Sequence, residues 1–90
     1  MSQISSFSVI FSFGMDTSHA DMERVLDQFI ADTAESNRLQ FGGGGFPNCQ
    51  GHIEPDGDHE LTELDRDLVK SWLEAQQEIS SVKVGPVYIE

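Results

Sequence analysis

The 90-residue chain has few of the features that stabilise or anchor many small proteins. Its single cysteine, Cys49, excludes an intramolecular disulfide. No apolar run approaches the roughly 20 residues that span a bilayer, and no basic start with a long apolar stretch predicts a secretory signal. We therefore expect residues 1–90 to form one domain around one hydrophobic core, located in the cytoplasm and without membrane contact.

Basic residues are also scarce. The chain has 5 Lys and Arg against 16 Asp and Glu, which gives a formal net charge of −11 at pH 7. Proteins that bind nucleic acid usually carry a basic stripe, because neutralising phosphates releases counterions. The charge argues against direct nucleic-acid contact and favours basic protein surfaces as partners, although solubility alone also explains an acidic surface.

Four segments have the pattern of β-strands: residues 5–13, 38–41, 48–54 and 79–84. The first has two distinct faces, with Phe7, Val9, Phe11 and Phe13 on one and Ser8, Ile10 and Ser12 on the other. Gly51, inside the third segment, predicts a bulge or a close approach of two backbones. Gly85 and Pro86 interrupt the chain after the fourth segment.

Two segments have apolar residues at helical spacing after a capping box. The first begins at Ser18 and Asp21 and is expected to end near Asn37, a residue that tolerates the left-handed conformation. The second begins at Thr62 and Asp65. Its predicted apolar stripe consists of Leu64, Leu68, Val69, Trp72 and Leu73.

The order β-α-β-β-α-β predicts an α+β fold with two layers. Each helix has one apolar stripe, so both are expected to pack on one face of a four-stranded sheet. Right-handed crossovers then give a split β-α-β arrangement of the ferredoxin-like kind. In this topology the second and third strands form an antiparallel hairpin, and the second strand lies at an edge.

A glycine-rich stretch joins these two predicted strands. We call it the glycine segment, and it consists of Gly42, Gly43, Gly44, Gly45 and Phe46. It is not a phosphate-binding loop, because no lysine follows the glycines and Pro47 leads into a strand instead of a helix. A dinucleotide fingerprint also fails, since Pro47 stands at the third glycine position. The glycine segment remains either a permissive hairpin tip or a contact where a partner approaches the backbone, with Phe46 as an aromatic anchor.

Metal binding and catalysis find little support. The potential ligands are Cys49, His52, Glu54, Asp56, Asp58 and His59. Their spacing matches neither a structural zinc site nor a calcium loop, and we predict no metal and no cofactor. Cys49 and His52 are three residues apart in an extended strand, so their side chains should lie on opposite faces. We predict no catalytic residues, and we interpret Cys49 as a small core or edge residue.

Five features in a shared order resemble the YggL-like family of small bacterial proteins. They are FSVIF at 7–11, LDQFI at 26–30, NRLQFGGGG at 37–45, Gly51, and the helix TELDRDLVKSWLEAQ from Thr62. The resemblance covers roughly residues 6–85. It implies binding to the large ribosomal subunit, no enzymatic activity and no known cofactor.

The resemblance leaves two functions to separate. The first is a non-enzymatic protein associated with the large ribosomal subunit or its assembly, in contact with basic ribosomal proteins. The second is an acidic protein-binding or regulatory module with no ribosomal role. For the first function we expect the glycine segment to be the contact and the acidic helix surfaces to steer the encounter.

Overall fold

The computed structural model describes residues 5–57 and 59–89 of the chain. The strands are β1 (Ser5–Phe13), β2 (Leu39–Gly44), β3 (Asn48–Pro55), β4 (Ile79–Val84) and β5 (Tyr88–Ile89). The helices are α1 (His19–Phe29) and α2 (Glu63–Glu74). A π-helical turn, Ile30–Ala34, and a 3₁₀ turn, Glu35–Asn37, continue α1.

The two faces of β1 are separated as its alternation predicts. Phe7, Val9, Phe11 and Phe13 are buried, and Ile10 on the opposite face is 41% exposed. Burying a large apolar side chain is worth about 1.5 to 3 kcal/mol, so this one face sets the orientation of the strand.

The sheet has the strand order β2-β3-β1-β4, and all neighbouring strands are antiparallel. The α+β class is confirmed, as is the β2–β3 hairpin with β2 at an edge. The prediction of four strands is wrong, because β5 also pairs with β1. The Gly85 N–H still donates to the Ser8 carbonyl (2.9 Å), but Pro86 has no N–H, so the ladder stops and resumes at Tyr88 opposite Ser6.

The start of α1 follows half of the predicted capping box. The Ser18 hydroxyl accepts a hydrogen bond from the Asp21 N–H (3.2 Å). The Asp21 carboxylate lies 3.6 Å from the Arg24 guanidinium, where it forms an exposed ion pair within the first turns.

The end of this helical segment differs from the prediction by one residue. Arg38, rather than Asn37, takes the left-handed conformation (φ 57°, ψ 47°). The Asn37 side-chain amide donates to the Thr33 carbonyl (2.8 Å), and the Thr33 hydroxyl donates to the Phe29 carbonyl (2.6 Å). These two bonds satisfy carbonyls at the end of the helical segment, which stops at Arg38.

Helix α2 has the complete capping box of Thr62 and Asp65. Its buried stripe is narrower than predicted, because Leu64 is 80% exposed and Leu68 is 39% exposed. Leu61, just before the helix, is buried at this end and donates its N–H to the Ser5 hydroxyl (3.0 Å). The core is therefore filled from the preceding loop instead of from Leu64.

The core lies between β1 and the helices, and Phe29 is at its centre. The Phe29 ring centroid is 5.9 Å from that of Phe11, 5.4 Å from Phe41 and 5.6 Å from Trp72. Edge and tilted contacts of this kind add to the gain from burial. Trp72 is half-buried, as expected for a core residue, and its indole N–H donates to Asp32 (3.3 Å). In the described part of the chain, neither helix is long and apolar enough to cross a membrane.

Candidate functional site

Three of the four glycines in the glycine segment belong to a strand. Gly42 pairs with His52, Gly43 with Gly51 and Gly44 with Gln50, so β2 extends to Gly44. The alternative of a permissive hairpin tip is wrong for these three positions. Glycine has no side chain to show an alternating pattern, which is why the sequence suggested a loop.

The Gly43–Gly51 pair explains why glycine is required here. A Cβ on Gly43 would lie 2.5 Å from the Gly51 Cα and would also collide with the Gln50 carbonyl. A Cβ on Gly51 would lie 2.9 Å from both the Gly43 Cα and the Phe41 ring. The close backbone approach predicted from Gly51 is confirmed, since the two strands touch where neither has a side chain.

The turn between the strands is short and carries Gly45 and Phe46. Gly45 has φ 107°, in the region that favours glycine. Phe46 is half-buried, with its ring centroid 5.8 Å from that of Phe13 and 5.3 Å from the His19 ring. The Pro47 carbonyl accepts from the Phe13 N–H (2.9 Å), which attaches the turn to β1. Part of the Phe46 ring is thus used in packing, and the rest faces solvent.

The sheet face opposite the helices is open and bears a shallow groove. The groove has a volume of about 400 Å³ and is lined by Ser8, Ile10, Gly42, Gly43, Gln50 and His52. Gly42 forms a floor without a side chain, since nothing lies within 4 Å of where its Cβ would be. An extended molecule can therefore lie directly against the backbone at this point.

The alternation of β1 correctly predicts that Ser8 and Ile10 lie on this face, but no sequence pattern predicts a groove there. Alternation in β1 was a sufficient signal for these two residues. Gln50 and His52 were missed as lining residues, because their neighbour Gly51 weakens the alternation in β3. Lys83 of β4 pairs with Ile10 and adds a positive charge to the same face.

The acidic charge is distributed unevenly. Within the strands that the structure describes, Glu54 is the only acidic residue, while the others described lie in helices, turns and loops. One exposed ion pair joins Arg24 of α1 to Glu78 (2.9 Å). The Glu78 backbone N–H and then the Arg24 guanidinium hold the pKa of the Glu78 carboxyl below its usual range. The helical side is therefore acidic and the open sheet face is nearly neutral.

Cys49 and His52 lie on opposite faces of β3, as predicted. Cys49 is fully buried opposite Phe11, and burial raises the pKa of its thiol. The interpretation of Cys49 as a core residue is confirmed. His52 is exposed on the open face, so the two side chains cannot share a proton.

The other potential metal ligands are dispersed. Asp56 accepts a hydrogen bond from the Gln40 side chain (3.0 Å), and Asp58 lies outside the described residues. The buried Nδ1 of His59 has no hydrogen-bond partner among the residues described. No three His, Cys, Asp or Glu side chains of residues 5–57 and 59–89 are placed to hold a metal ion.

Comparison with known proteins identifies a family. The family model described as YggL 50S ribosome-binding protein matches residues 2–88. This match confirms the resemblance to the YggL-like family and extends it over nearly the whole chain. No solved structure matches the chain.

Proposed function

The chain belongs to the YggL 50S ribosome-binding family, and from this premise we propose that it binds the large ribosomal subunit, or a precursor during assembly, through the glycine segment. The role is non-enzymatic and cytoplasmic. One observation carries the choice of contact. Gly42, Gly43 and Gly44 form an exposed strand at the edge of the sheet, where a partner meets backbone instead of side chains.

The strand conformation of these glycines favours binding. A disordered glycine loop would lose much conformational entropy on binding, because glycine has the most freedom to lose. In this chain the loss has already occurred on folding, since Gly42 to Gly44 are paired with β3. A surface that is ordered beforehand binds more tightly than one that must be ordered by its partner.

The fold leaves the contact accessible from two directions. The strand order supports a split β-α-β arrangement of the ferredoxin-like kind, in which both helices cover one face of the sheet. The other face, with its groove beside Gly42, stays open. A partner can reach the glycine segment from the edge of β2 or from the open face.

The charge supports basic ribosomal proteins as the partner. A net charge of −11 attracts cationic surfaces over distances of about a Debye length, roughly 8 Å at physiological salt. The same charge repels RNA phosphates. Because the contact itself is nearly neutral, the acidic helices steer the approach without placing a desolvated carboxylate in the interface.

The non-enzymatic part of the proposal rests on the side chains near the groove. The thiol of Cys49 is buried with a raised pKa, and His52 lies on the other side of the strand. A thiol nucleophile needs a lowered pKa and a base within hydrogen-bond reach.

Sedimentation through a sucrose gradient tests the proposal. We expect the purified protein to co-sediment at low salt with isolated large subunits and not with small subunits, and rising salt should release it. Gly44→Gln should weaken binding about tenfold, because it adds a side chain where nothing lies within 4 Å and so need not disturb the fold. Ser71→Gln introduces the same side chain at an exposed position of α2 and is the matched control.

Recovery of the protein only at the top of the gradient, at low salt, would exclude the ribosomal role. It would leave the acidic protein-binding or regulatory module as the function. Equal losses for Gly44→Gln and Ser71→Gln would keep the ribosomal role but remove the glycine segment as its contact.

A further inference from the structure

The hydrogen-bond ladder shows which backbone groups of β2 face away from the sheet. In an antiparallel sheet, successive residues of a strand direct their N–H and C=O alternately to one neighbour and to the other. The Asp56 N–H donates to the Arg38 carbonyl (2.8 Å), so the even-numbered residues at this end pair with β3. By alternation, the N–H and C=O of Phe41 and Gly43 point to the free edge.

Two other hydrogen bonds support this assignment. The Phe13 N–H donates to the Pro47 carbonyl (2.9 Å), which places the odd-numbered residues of β1 against β3. The Gly85 N–H donates to the Ser8 carbonyl (2.9 Å), which places its even-numbered residues against β4. The alternation is the same from β2 through β3 to β1, and it continues to β4 up to the register shift between Ser12 and Phe13. No loop or turn backbone in the described residues hydrogen-bonds to Phe41 or Gly43.

Within residues 5–57 and 59–89, the edge of β2 carries no charged residue, proline or bulge of the kind that usually prevents strand addition. Proteins normally cover such edges or place charged residues, prolines or bulges on them. The β2 sequence is LQFGGG, without a charge or a proline, and its pairing with β3 is regular from Leu39 to Gly44. Gly42 and Gly44 are exposed, and nothing lies within 4 Å of their Cβ positions.

We propose that the free edge of β2 accepts an extended, Lys- and Arg-rich segment of a protein of the large subunit as an added strand. This inference rests on the proposed function and specifies the partner. The N–H and C=O of Phe41 and Gly43 supply the hydrogen bonds, as in other complexes that form by strand addition. Side chains of the partner that face the open side lie over Gly42 and Gly44, where the surface is flat.

Charge selects a basic occupant. Glu54 is opposite Gln40 near the start of β2, the Asp56 carboxylate accepts from the Gln40 amide (3.0 Å), and Glu35 precedes the strand. These three carboxylates outnumber the cation of Arg38, which directly precedes β2. A second copy of the chain would bring two charges of −11 together, so self-pairing is disfavoured. A basic strand gains both the ladder and the attraction.

Hydrogen exchange with purified large subunits as the probe tests the proposal, with single-residue resolution from fragmentation of the peptides. We expect exchange at the Phe41 and Gly43 amides to slow at least about tenfold in the complex. The Gln40 and Gly42 amides, which already bond to β3, should change much less. This odd-even difference is specific to a strand added at the edge.

Charge variants at Gly42 test the chemistry of the occupant. Gly42→Lys should bind about tenfold more weakly than Gly42→Glu, because the two variants add side chains of similar size and a basic strand is repelled only by the lysine. Gln77→Lys adds the same charge at an exposed position in the turn before β4 and controls for the change in net charge.

Each alternative result has a definite meaning. Failure to co-sediment with large subunits overturns both this inference and the proposed function. Co-sedimentation with unchanged exchange at Phe41 and Gly43 overturns only strand addition. Stronger binding of Gly42→Lys with weaker binding of Gly42→Glu identifies RNA at the edge, and a dimer of the free protein with both amides protected identifies a second copy.

Discussion

At the β4 edge of the sheet the Arg66 guanidinium donates to the carbonyls of Gly85 (2.7 Å) and Val84 (2.9 Å), whereas the β2 edge ends in three exposed glycines. Val84 is one of the β4 residues whose carbonyl faces outward in the ladder. The β4 edge also carries Lys83 and is followed by Pro86, both of which oppose strand addition. One chain thus protects one edge of its sheet and leaves the other open.

This difference shows that the open edge is not forced by the size of the domain. The same α2 helix that packs on the sheet supplies the arginine that closes the β4 edge. A lysine or arginine within β2 would protect that edge as well. The chain instead has glycines there, at positions such as Gly42 and Gly44 where a side chain would fit.

The largest effect on stability is expected from Gly51→Ala, because it pushes β2 away from β3 and so removes the open edge of the sheet. The new methyl would collide with the Gly42 carbonyl and lie 2.9 Å from the Gly43 Cα, both of them backbone. We expect the free energy of unfolding in urea to fall by about 2 to 3 kcal/mol.

Gly44→Ala is the control for this prediction. Its Cβ meets no atom within 4 Å, so stability should stay the same or rise by about 0.4 to 1 kcal/mol, because alanine restricts the unfolded chain. Equal destabilisation by the two variants would show that the close approach of the strands is not the reason for Gly51.

A smaller effect is expected from Arg66→Met, which opens the protected edge. Methionine keeps much of the apolar stem but leaves the Val84 and Gly85 carbonyls without their charged donor. We expect unfolding to become easier by about 1 to 2 kcal/mol and exchange in β5 to quicken. Lys70→Met, one turn further along α2, is the matched control, and a similar loss there would assign the effect to the helix surface alone.

The smallest effect is expected from Glu78→Gln, which tests whether charge helps to fix the start of β4. The pKa of Glu78 is lowered in the folded protein, so its contribution is present above the ordinary pKa of a glutamate and is lost as the pH falls through the folded value. The pair with Arg24 is exposed, so salt should screen it.

Urea midpoints of the wild type and Glu78→Gln should therefore differ slightly at pH 7 and low salt, and should converge in high salt or as the pH falls through the folded pKa of Glu78. A difference that persists in acid would show that the Glu78 carboxylate charge is not responsible.

Most of the fold could be predicted because its signals are local. The alternation of β1 and the capping box of Thr62 and Asp65 each lie within a few residues, and the structure has both. The two-residue strand β5 was missed because the residues it pairs with, Ser5 and Ser6, lie some eighty residues earlier in the chain. Two residues are too few to show a period.

The site was predicted only in part, for a different reason. The glycine segment was proposed as the contact from its composition, and its strand conformation was not predicted, because that conformation depends on Gly51 in the facing strand. The role of Arg66 at the other edge depends on a contact across 19 residues of sequence. Helical spacing places Arg66 near the sheet but does not say which carbonyls it reaches.

The position of the lone thiol has a consequence for the life of the protein in the cell. Cys49 is sealed between β3, β1 and the helices, so it meets oxidants or other thiols only when the sheet comes apart. A molecule that opens transiently then exposes its one thiol and can be cross-linked to a neighbour, while the thiol of an intact molecule stays unreactive. The extent of oxidation or cross-linking at Cys49 therefore rises with the frequency at which the domain opens.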